Sequence, residues 1–174
     1  MRIIAGEWGG RRIKAPAGRD VRPTTDRVRE AWMSALGGRL DGLTVLDLFA
    51  GTGALGLETL SRGAAHATFV EIARASVRSL EENIAALDAG ARATVIKGDA
   101  LKYARKLAPE AFDLALADPP YGEGQAAALF EHFREVPFAR ELWVEHRTGE
   151  PVPELPGVRH RRYGDTTLSH LAAP

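Results

Sequence analysis

The segment Asp118-Pro119-Pro120-Tyr121 combines residue types that could hold an amine and activate it. Two consecutive prolines stiffen the backbone and remove two N–H donors, so this turn presents mainly acceptors. An exocyclic amine on a base is a poor nucleophile because its lone pair is delocalised into the ring. Hydrogen bonds from its two N–H groups to the Asp118 carboxylate and the Pro119 carbonyl would aim that lone pair at an electrophile. Tyr121 could stack on the base once it is flipped out, so the segment predicts group transfer to an amine.

A glycine-rich segment elsewhere in the chain could bind the second reactant. Residues 44–56 read T-V-L-D-L-F-A-G-T-G-A-L-G. The first half is apolar enough for a strand buried on both faces, and Gly51, Gly53 and Gly56 then open a helix. Glycines let a ligand approach bare backbone, and the N–H groups at the start of the helix face that ligand. The segment therefore predicts a nucleotide-like cofactor.

Two cofactors fit this strand, turn and helix. The spacing Gly51-x-Gly53-x-x-Gly56, with Glu71 about 20 residues after the first glycine, satisfies the dinucleotide fingerprint. Asp47 favours a different cofactor, because a buried carboxylate is costly unless it is paired, and here it could meet a cationic methionine moiety directly or through water. The pattern D-x-F-x-G-x-G resembles the S-adenosylmethionine (SAM) loop of Rossmann-like methyltransferases. This resemblance implies that Phe49 also belongs to the cofactor site.

Further acidic residues follow the predicted strands, at the sheet edge where ligands of open α/β folds bind. Glu71 ends the second strand and can accept both ribose hydroxyl groups, and we assign the neighbouring Ile72 to the same site. Asp99 can accept from an adenine amine, with the Ala100 backbone N–H beside it. Together with Asp118, these residues predict one continuous site.

Alternating strands and helices predict the scaffold, a Rossmann-like α/β fold with a mostly parallel sheet. After the first strand, predicted strands cover 67–71, 93–96, 112–117, 141–146, 158–163 and 167–171, and predicted helices cover 74–87, 100–107 and 125–133. The last strand is expected to be antiparallel, because a turn at Gly164-Asp165 closes a hairpin. An amphipathic helix from Val28 to Leu36 precedes the sheet.

Composition limits the remaining possibilities. With 174 residues and 45% hydrophobic content, the chain suits one domain with a small appendage. The absence of cysteine excludes disulfides, thiolate zinc sites and a cysteine nucleophile. The five histidines show no ligand spacing, so we expect no metal. There is no signal-peptide pattern and no apolar run near the roughly 18 residues of a membrane span, so we expect a cytoplasmic protein.

The net charge of zero conceals a basic N-terminal region. Residues 1–40 carry nine Lys/Arg and four Asp/Glu, a net charge of +5. Residues 41–139 carry nine Lys/Arg and fourteen Asp/Glu, a net charge of −5, and residues 140–174 carry five of each. Two short segments around Glu7-Trp8-Gly9-Gly10 predict a β-hairpin, which we interpret as an arm over residues 1–23 ahead of a domain over 24–174. The arm is expected to bind nucleic acid, whereas Trp8 is expected to pack. The candidate RNA-binding residues are Arg11, Arg12, Lys14, Arg22, Thr24 and Arg27.

Four segments together resemble one family of amino-group methyltransferases. They are M-R-I-I-A-G, R-P-T-T-D-R-V-R-E-A, D-L-F-A-G-T-G-A-L-G-L-E and Y-G-D-T-T-L. In addition, D-P-P-Y is similar to the [D/N]-P-P-[Y/F/W] motif of these enzymes. The chain resembles the RsmD family from Met1 to about Leu171. That resemblance implies an enzyme that uses SAM to methylate the exocyclic amine of one guanine in 16S ribosomal RNA. We expect it to act as a monomer, on an assembling small subunit.

Two alternatives remain open at the level of sequence. The same fold could act on DNA adenine or on a protein glutamine, since both reactions use similar Asn/Asp-Pro-Pro-Tyr turns. The basic arm favours nucleic acid, and the lack of a separate DNA-recognition domain disfavours sequence-specific DNA. A non-enzymatic protein that binds SAM and RNA is the other alternative, and the intact Asp118–Tyr121 turn argues against it.

Overall fold

A computed structural model of the protein describes residues 1–15, 26–37 and 40–174. These residues form a single sheet with helices on both faces. The strands are β1 Thr44–Leu48, β2 His66–Glu71, β3 Ala93–Lys97, β4 Phe112–Ala117, β5 Ala139–Arg147, β6 Arg159–Tyr163 and β7 Thr166–Ala172. The helices are α1 Asp26–Ala35, α2 Ala54–Ser61, α3 Arg74–Ala86, α4 Ala100–Ala104 and α5 Gln125–Glu135.

The order of the strands across the sheet is β3-β2-β1-β4-β5-β7-β6. Strands β1 to β5 are parallel, whereas β7 runs antiparallel to both β5 and β6. The chain builds outwards from β1 in one direction and from β4 in the other, so the topological switch point lies between these two strands. Leu48 of β1 pairs with Ala117 of β4, so the segments that follow them start side by side. The predicted seven-stranded Rossmann-like fold is confirmed.

The alternation of apolar side chains along the strands produces two hydrophobic cores, one on each face of the sheet. On one face, here called the α1 face, Trp32, Leu57 and Leu80 pack with residues of the N-terminal segment. On the other, the α5 face, Leu129 and Phe130 of α5 pack with the alanines of α4. The central strands are therefore buried on both faces, and their carboxyl ends are the natural place for ligands.

The N-terminal segment, residues 1–15, folds back on itself and packs on α2. An antiparallel bridge pairs Arg2 with Arg12, as the predicted hairpin requires, and Ile3, Trp8 and Ile13 are buried in the α1-face core. Gly6 has a φ of 84°, and a Cβ there would lie 1.9 Å from the carbonyl oxygen of Ser61, so this contact demands glycine. The predicted arm boundary at residue 23 lies outside the described residues.

Most predicted element boundaries agree with the structure. Strand β4 has the predicted bounds, and the closing hairpin turns at Gly164-Asp165, because Tyr163 pairs with Thr166. Helix α4 is shorter than predicted and ends at Ala104 rather than at residue 107. No helix in the described ranges is both long and apolar enough to cross a membrane.

Candidate active site

The glycine loop after β1 and the Asp-Pro-Pro-Tyr turn after β4 are neighbours at the switch point of the sheet. The backbone of the loop is unusual, since Phe49, Gly51 and Gly53 all have positive φ, at 59°, 56° and 82°. A positive φ is uncommon for an aromatic residue, so Phe49 is held there by its surroundings. Two predicted parts of the site are thus brought together by strand pairing alone.

Asp47 lies under the glycine loop and is 1% exposed. Its Oδ2 accepts a 2.8 Å hydrogen bond from the Gly56 N–H group. Burial raises the pKa of Asp47 to about 7, a rise that the Gly56 N–H group opposes and the nearby Glu71 charge reinforces. A Cβ at Gly56 would lie 2.9 Å from this oxygen and 2.3 Å from the Phe69 ring, so glycine is required for the loop to close over the carboxylate. The visible role of Asp47 is to fasten the first turn of α2, and its predicted contact with the cofactor stays a prediction.

Glu71 at the end of β2 is buried and holds the opposite side of the loop. Its Oε2 accepts from the Gly51 N–H group at 2.7 Å, and its Oε1 accepts from the Ala73 N–H group at 2.7 Å. A carboxylate offers about four acceptor positions, so two remain for the ribose hydroxyl groups. The residues here therefore fit an adenosyl group while also fixing the loop.

An exposed apolar side chain and a second acidic residue complete the cofactor side. Ile72 is 63% exposed, which is unusual for a large aliphatic residue beside a buried carboxylate, and this surface suits the face of an adenine ring. Asp99 caps α4, because its Oδ1 accepts from the Lys102 N–H group at 2.7 Å. Ala100 is buried directly behind it.

On the substrate side, Tyr121 is held by its hydroxyl group. Its O–H donates to Glu145 Oε1 at 2.8 Å and lies 3.3 Å from Thr166 Oγ1. Burial raises the pKa of Tyr121, and the charges of Glu145 and Asp118 raise it further. Within the same turn, Pro119 is buried and Pro120 is exposed.

Glu145 links this turn to α1 and was not predicted from the sequence. It is 4% exposed on β5, and its Oε2 accepts from the Trp32 Nε1–H group at 2.9 Å. The position of the Tyr121 ring therefore depends on β5, β7 and α1 together. A signal was present in the sequence, because Glu145 interrupts an apolar strand just as Asp47 does.

A shallow cavity of about 410 Å³ opens beside Tyr121. Its walls come from the turn after β4 and the loop after β5, and Glu150 joins them by accepting from the Gly122 N–H group at 3.1 Å. The lining residues are Tyr121, Gly122, Arg147, Thr148, Gly149, Glu150 and Pro151. The cavity continues the surface on which a base stacked against Tyr121 would lie.

The predicted RNA-binding residues have different surroundings. Arg11 donates to the Ala86 carbonyl, and the Lys14 Nζ lies 3.2 Å from the Glu82 carboxylate, so both are engaged with α3. Arg12 and Arg27 are exposed. Arg22 and Thr24 lie outside the described residues. Trp8 is 5% exposed and is covered by the Arg92 guanidinium 4.8 Å above its ring, so it packs as expected and does not present a face to a base.

Asn83 fastens the N-terminal segment to the glycine loop. Its Oδ1 accepts from the Lys14 N–H group at 2.7 Å, while its Nδ2 donates to the carbonyls of Lys14 and Thr52, both at 3.0 Å. Asn83 is 2% exposed, so these bonds are shielded from water. The arm is thus continuous with the site. Among the described residues, no three His, Asp or Glu side chains are grouped as a metal would require.

An acceptor-rich turn next to the glycine loop distinguishes the two cofactors that the loop alone could not. A methyl donor bound by the loop would lie beside the turn, and this arrangement is typical of Rossmann-like SAM-dependent methyltransferases. The comparisons with known proteins agree. The family described as conserved hypothetical protein 95 matches residues 1–172. The chain belongs to this family, the RsmD family of ribosomal RNA methyltransferases.

Individual relatives cover nearly the whole chain. Ribosomal RNA small subunit methyltransferase D of Escherichia coli K12 is 44% identical over 160 residues, which make up 90% of this chain and 79% of the relative. A solved structure of a hypothetical protein from Thermus thermophilus matches with a TM-score of 0.81 and 30% identity, over 99% of each chain.

A more distant structure shares the fold. The 16S rRNA N2 methyltransferase RsmC of T. thermophilus, in complex with AdoMet and guanosine, matches 91% of this chain and 44% of its own, with a TM-score of 0.66 and 24% identity. At that identity the likeness concerns the fold alone. The prediction of a SAM-dependent methyltransferase is confirmed by the family match and the Escherichia coli relative rather than by this distant structure.

Proposed function

We propose that this protein transfers the methyl group of SAM to the exocyclic amine N2 of a guanine in 16S ribosomal RNA. One observation carries the proposal: the strand pairing of β1 and β4 brings the glycine loop and the Asp118–Tyr121 turn side by side. The name of the Escherichia coli relative, a small-subunit ribosomal RNA methyltransferase, supports the choice of substrate.

The cofactor would be held by the residues around the loop. In this proposal Glu71 accepts the ribose hydroxyl groups, Ile72 packs on the adenine ring and Asp99 accepts from the adenine amine, with the Ala100 N–H group beside it. Asp47, Phe49, Gly51 and Gly53 shape the loop over the methionine part. SAM supplies a methyl group on a positively charged sulfur, and its thioether product leaves without needing a proton.

The chain contributes position and acceptors to the reaction. The Asp118 carboxylate and the Pro119 carbonyl accept from the two N–H groups of the guanine amine, while Tyr121 stacks on the base and Pro120 keeps the turn rigid. A nitrogen held in this way directs its lone pair at the methyl carbon. The N–C bond forms as the S–C bond breaks, the electron pair stays on sulfur, and the nitrogen then loses a proton to Asp118 or to water. Positioning and local electrostatics therefore supply the catalysis.

The RNA would approach from the α1 face, where the N-terminal arm and the start of α1 lie. Arg12 and Arg27 are exposed and ready to meet phosphates, as charge complementarity requires. Arg11 and Lys14 would have to exchange their α3 partners for phosphates, and Arg22 and Thr24 complete the proposed set. We further propose that the enzyme acts as a monomer on an assembling small subunit.

A substrate comparison tests this function. The protein is incubated with methyl-labelled SAM and, separately, with 16S RNA, partly assembled small subunits, duplex DNA and a protein mixture. Nucleoside mass spectrometry of the labelled product is expected to find N2-methylguanine in ribosomal RNA. Methyladenine in DNA or methylglutamine in protein would contradict the proposal, and a lack of label in every substrate would favour the non-catalytic alternative.

A further inference from the structure

The edge strand β6 carries a cluster of positive charge that the neutral net charge of residues 140–174 conceals. Its sequence is Arg-His-Arg-Arg-Tyr, and each of its five side chains is exposed. The region 140–174 is neutral overall because its acidic residues lie elsewhere, on β5 and in the loops. We call Arg159 and Arg161 the β6 surface.

The β6 surface shares a face of the sheet with α1. Arg159 pairs with His170 and Arg161 pairs with Leu168, and Leu168 belongs to the α1-face core. Directly paired residues point to the same side of a sheet, so both arginines lie on the α1 face. Both also line a cavity of about 210 Å³ together with Ala35 and Leu36 at the end of α1. This is the face on which the N-terminal arm packs.

The guanidinium groups of this surface are available to an anion. Glu141 lies in the same cavity, but its carboxylate already accepts from Trp143 Nε1–H at 2.9 Å and lies 3.2 Å from His170 Nε2. Within the described residues, neither arginine of the β6 surface forms an ion pair. Arg162 follows Arg161 and therefore lies on the opposite face, where its Nε donates to the Gly164 carbonyl at 3.1 Å.

The β6 surface begins close to the Asp118–Tyr121 turn. Across the sheet, Tyr163 at the end of β6 pairs with Thr166, and Thr166 pairs with Arg147 of β5. The Tyr121 hydroxyl group lies 3.3 Å from Thr166 Oγ1. The strand then extends away from the site for about 13 Å, given a rise of about 3.3 Å per residue. A polymer whose base lies on Tyr121 could therefore follow β6.

We propose that the β6 surface binds the phosphate backbone of the RNA that flanks the target guanine, as a second contact region beside the N-terminal arm. This inference rests on the proposed function. Charged residues on an edge strand also prevent two sheets from pairing, a role that either sign of charge fulfils. The two roles differ in their response to charge reversal, which makes them separable.

The test compares the salt dependence of RNA binding in matched variants. The probe is a fluorescently labelled transcript of 16S ribosomal RNA, and its affinity is measured from about 0.05 to 0.3 M salt. For Arg159→Ala with Arg161→Ala, loss of two contacts to single-stranded RNA should reduce the slope of log affinity against log salt by about 1.4. Affinity should fall roughly tenfold or more at low salt, with unchanged SAM affinity.

Two controls exclude simpler explanations. The control Arg105→Ala with Arg134→Ala removes the same charge from the opposite face of the sheet. Arg105 is exposed just after α4, and Arg134 is exposed on α5. An equal loss of RNA affinity in this control would overturn the inference. Arg159→Glu with Arg161→Glu keeps the edge charged but reverses its sign, and should bind RNA more weakly than the alanine variant. Wild-type binding by the glutamate variant would show that the charges only protect the edge.

Methyl transfer to ribosomal RNA, measured on the same proteins, distinguishes a failure of the inference from a failure of the proposed function. If the wild type methylates RNA and the alanine variant keeps the wild-type salt slope, the inference fails and the proposed function stands. If the wild type methylates no RNA, the proposed function fails and the inference fails with it.

Discussion

The two halves of the sheet hold their buried carboxylates with different partners. In the cofactor half, formed by β1, β2 and the segments after them, Asp47 and Glu71 accept only from backbone N–H groups in the bonds seen here: Asp47 from Gly56, and Glu71 from Gly51 after β1 and Ala73 after β2. In the substrate half, Glu145 accepts from two side chains, the Tyr121 hydroxyl group on the turn after β4 and the Trp32 indole on α1. These backbone partners require only β1, β2 and the segments that follow them, whereas the side-chain partners of Glu145 bring together β5, the turn after β4 and α1.

This difference predicts which step each half controls. The glycine loop is held by contacts within one strand–turn–helix unit and its neighbour β2. The Tyr121 ring depends on α1, which follows the arm that is proposed to meet RNA. Changes in the cofactor half should therefore act on SAM affinity, and changes in the substrate half should act on methyl transfer.

The largest effect is expected at Asp118. Asp118→Ala should lower the rate of methyl transfer by ~10² or more, the usual loss when one preorganised polar group is removed from a reacting centre. SAM affinity, measured by isothermal titration, should change little because the proposed contact is with the target amine. Asp118→Asn keeps one carbonyl acceptor and should retain more activity. A parallel loss of SAM affinity would assign Asp118 to the cofactor and show that the two halves of the sheet do not act separately.

The opposite pattern is expected at Glu71. Glu71→Ala should weaken SAM binding by ~1.5–3 kcal/mol, because a charged hydrogen-bond acceptor is lost. The Gly51 N–H group also loses its partner, so the loop should become less ordered. Glu81→Ala, at an exposed position on α3, is the matched control and should bind SAM normally. Unchanged SAM affinity in Glu71→Ala would refute the role of β2 in the site.

Asp47 should make stability depend on pH. Its pKa in the folded protein, about 7, lies above the ordinary value of 3.8, so the folded state binds more protons between these values. Stability is therefore lost as pH rises through 7, by roughly 1 kcal/mol from about pH 6 to about pH 7.5. Asp47→Asn keeps an acceptor for Gly56 and should lack this loss.

Urea unfolding at both pH values measures the difference between wild type and Asp47→Asn. His146 and His170, whose pKa values burial lowers, titrate in both proteins and cancel in that difference. An identical pH dependence in the two proteins would show that Asp47 does not titrate in this range.

The smallest effect is expected at the Tyr121 hydroxyl group. Tyr121→Phe leaves Glu145 with one partner fewer, which should lower the free energy of unfolding by about 0.5–1.5 kcal/mol and slow methyl transfer modestly. SAM affinity should be unchanged. Tyr103→Phe on α4, whose hydroxyl group makes no hydrogen bond within the described residues, is the control. Weaker SAM binding in Tyr121→Phe would mean that the two halves are coupled more closely than their hydrogen bonds indicate.

Much of the fold could be predicted because its signals are local. The apolar run at 112–117 gave the bounds of β4, and the Gly164-Asp165 turn gave the closing hairpin. The end of α4 was predicted less well, because the apolar pattern continues to Leu107 after the helix has ended. The candidate site was predicted in outline, since ligands of such sheets bind where parallel strands end.

Long-range contacts could not be predicted in the same way. Tyr121 and Glu145 are 24 positions apart in sequence, Lys14 and Asn83 are 69 apart, and Trp32 and Glu145 are 113 apart. No periodicity or motif relates such pairs, because their meeting depends on the order of strands in the sheet. Counting charge by region likewise missed the β6 surface, since it adds residues that the fold separates.

The sequence by itself determined the strand–turn–helix unit at 44–61, the Asp-Pro-Pro-Tyr turn and the class of reaction, because glycine spacing, apolar runs and proline pairs act on neighbouring residues. The tertiary structure decided which carboxylates bind backbone and which bind side chains. It also decided that the arm is fastened to the glycine loop through Asn83, and that β6 presents Arg159 and Arg161 on the same face as α1. These features arise from packing, where burial excludes water and leaves each polar group to find a partner within the fold.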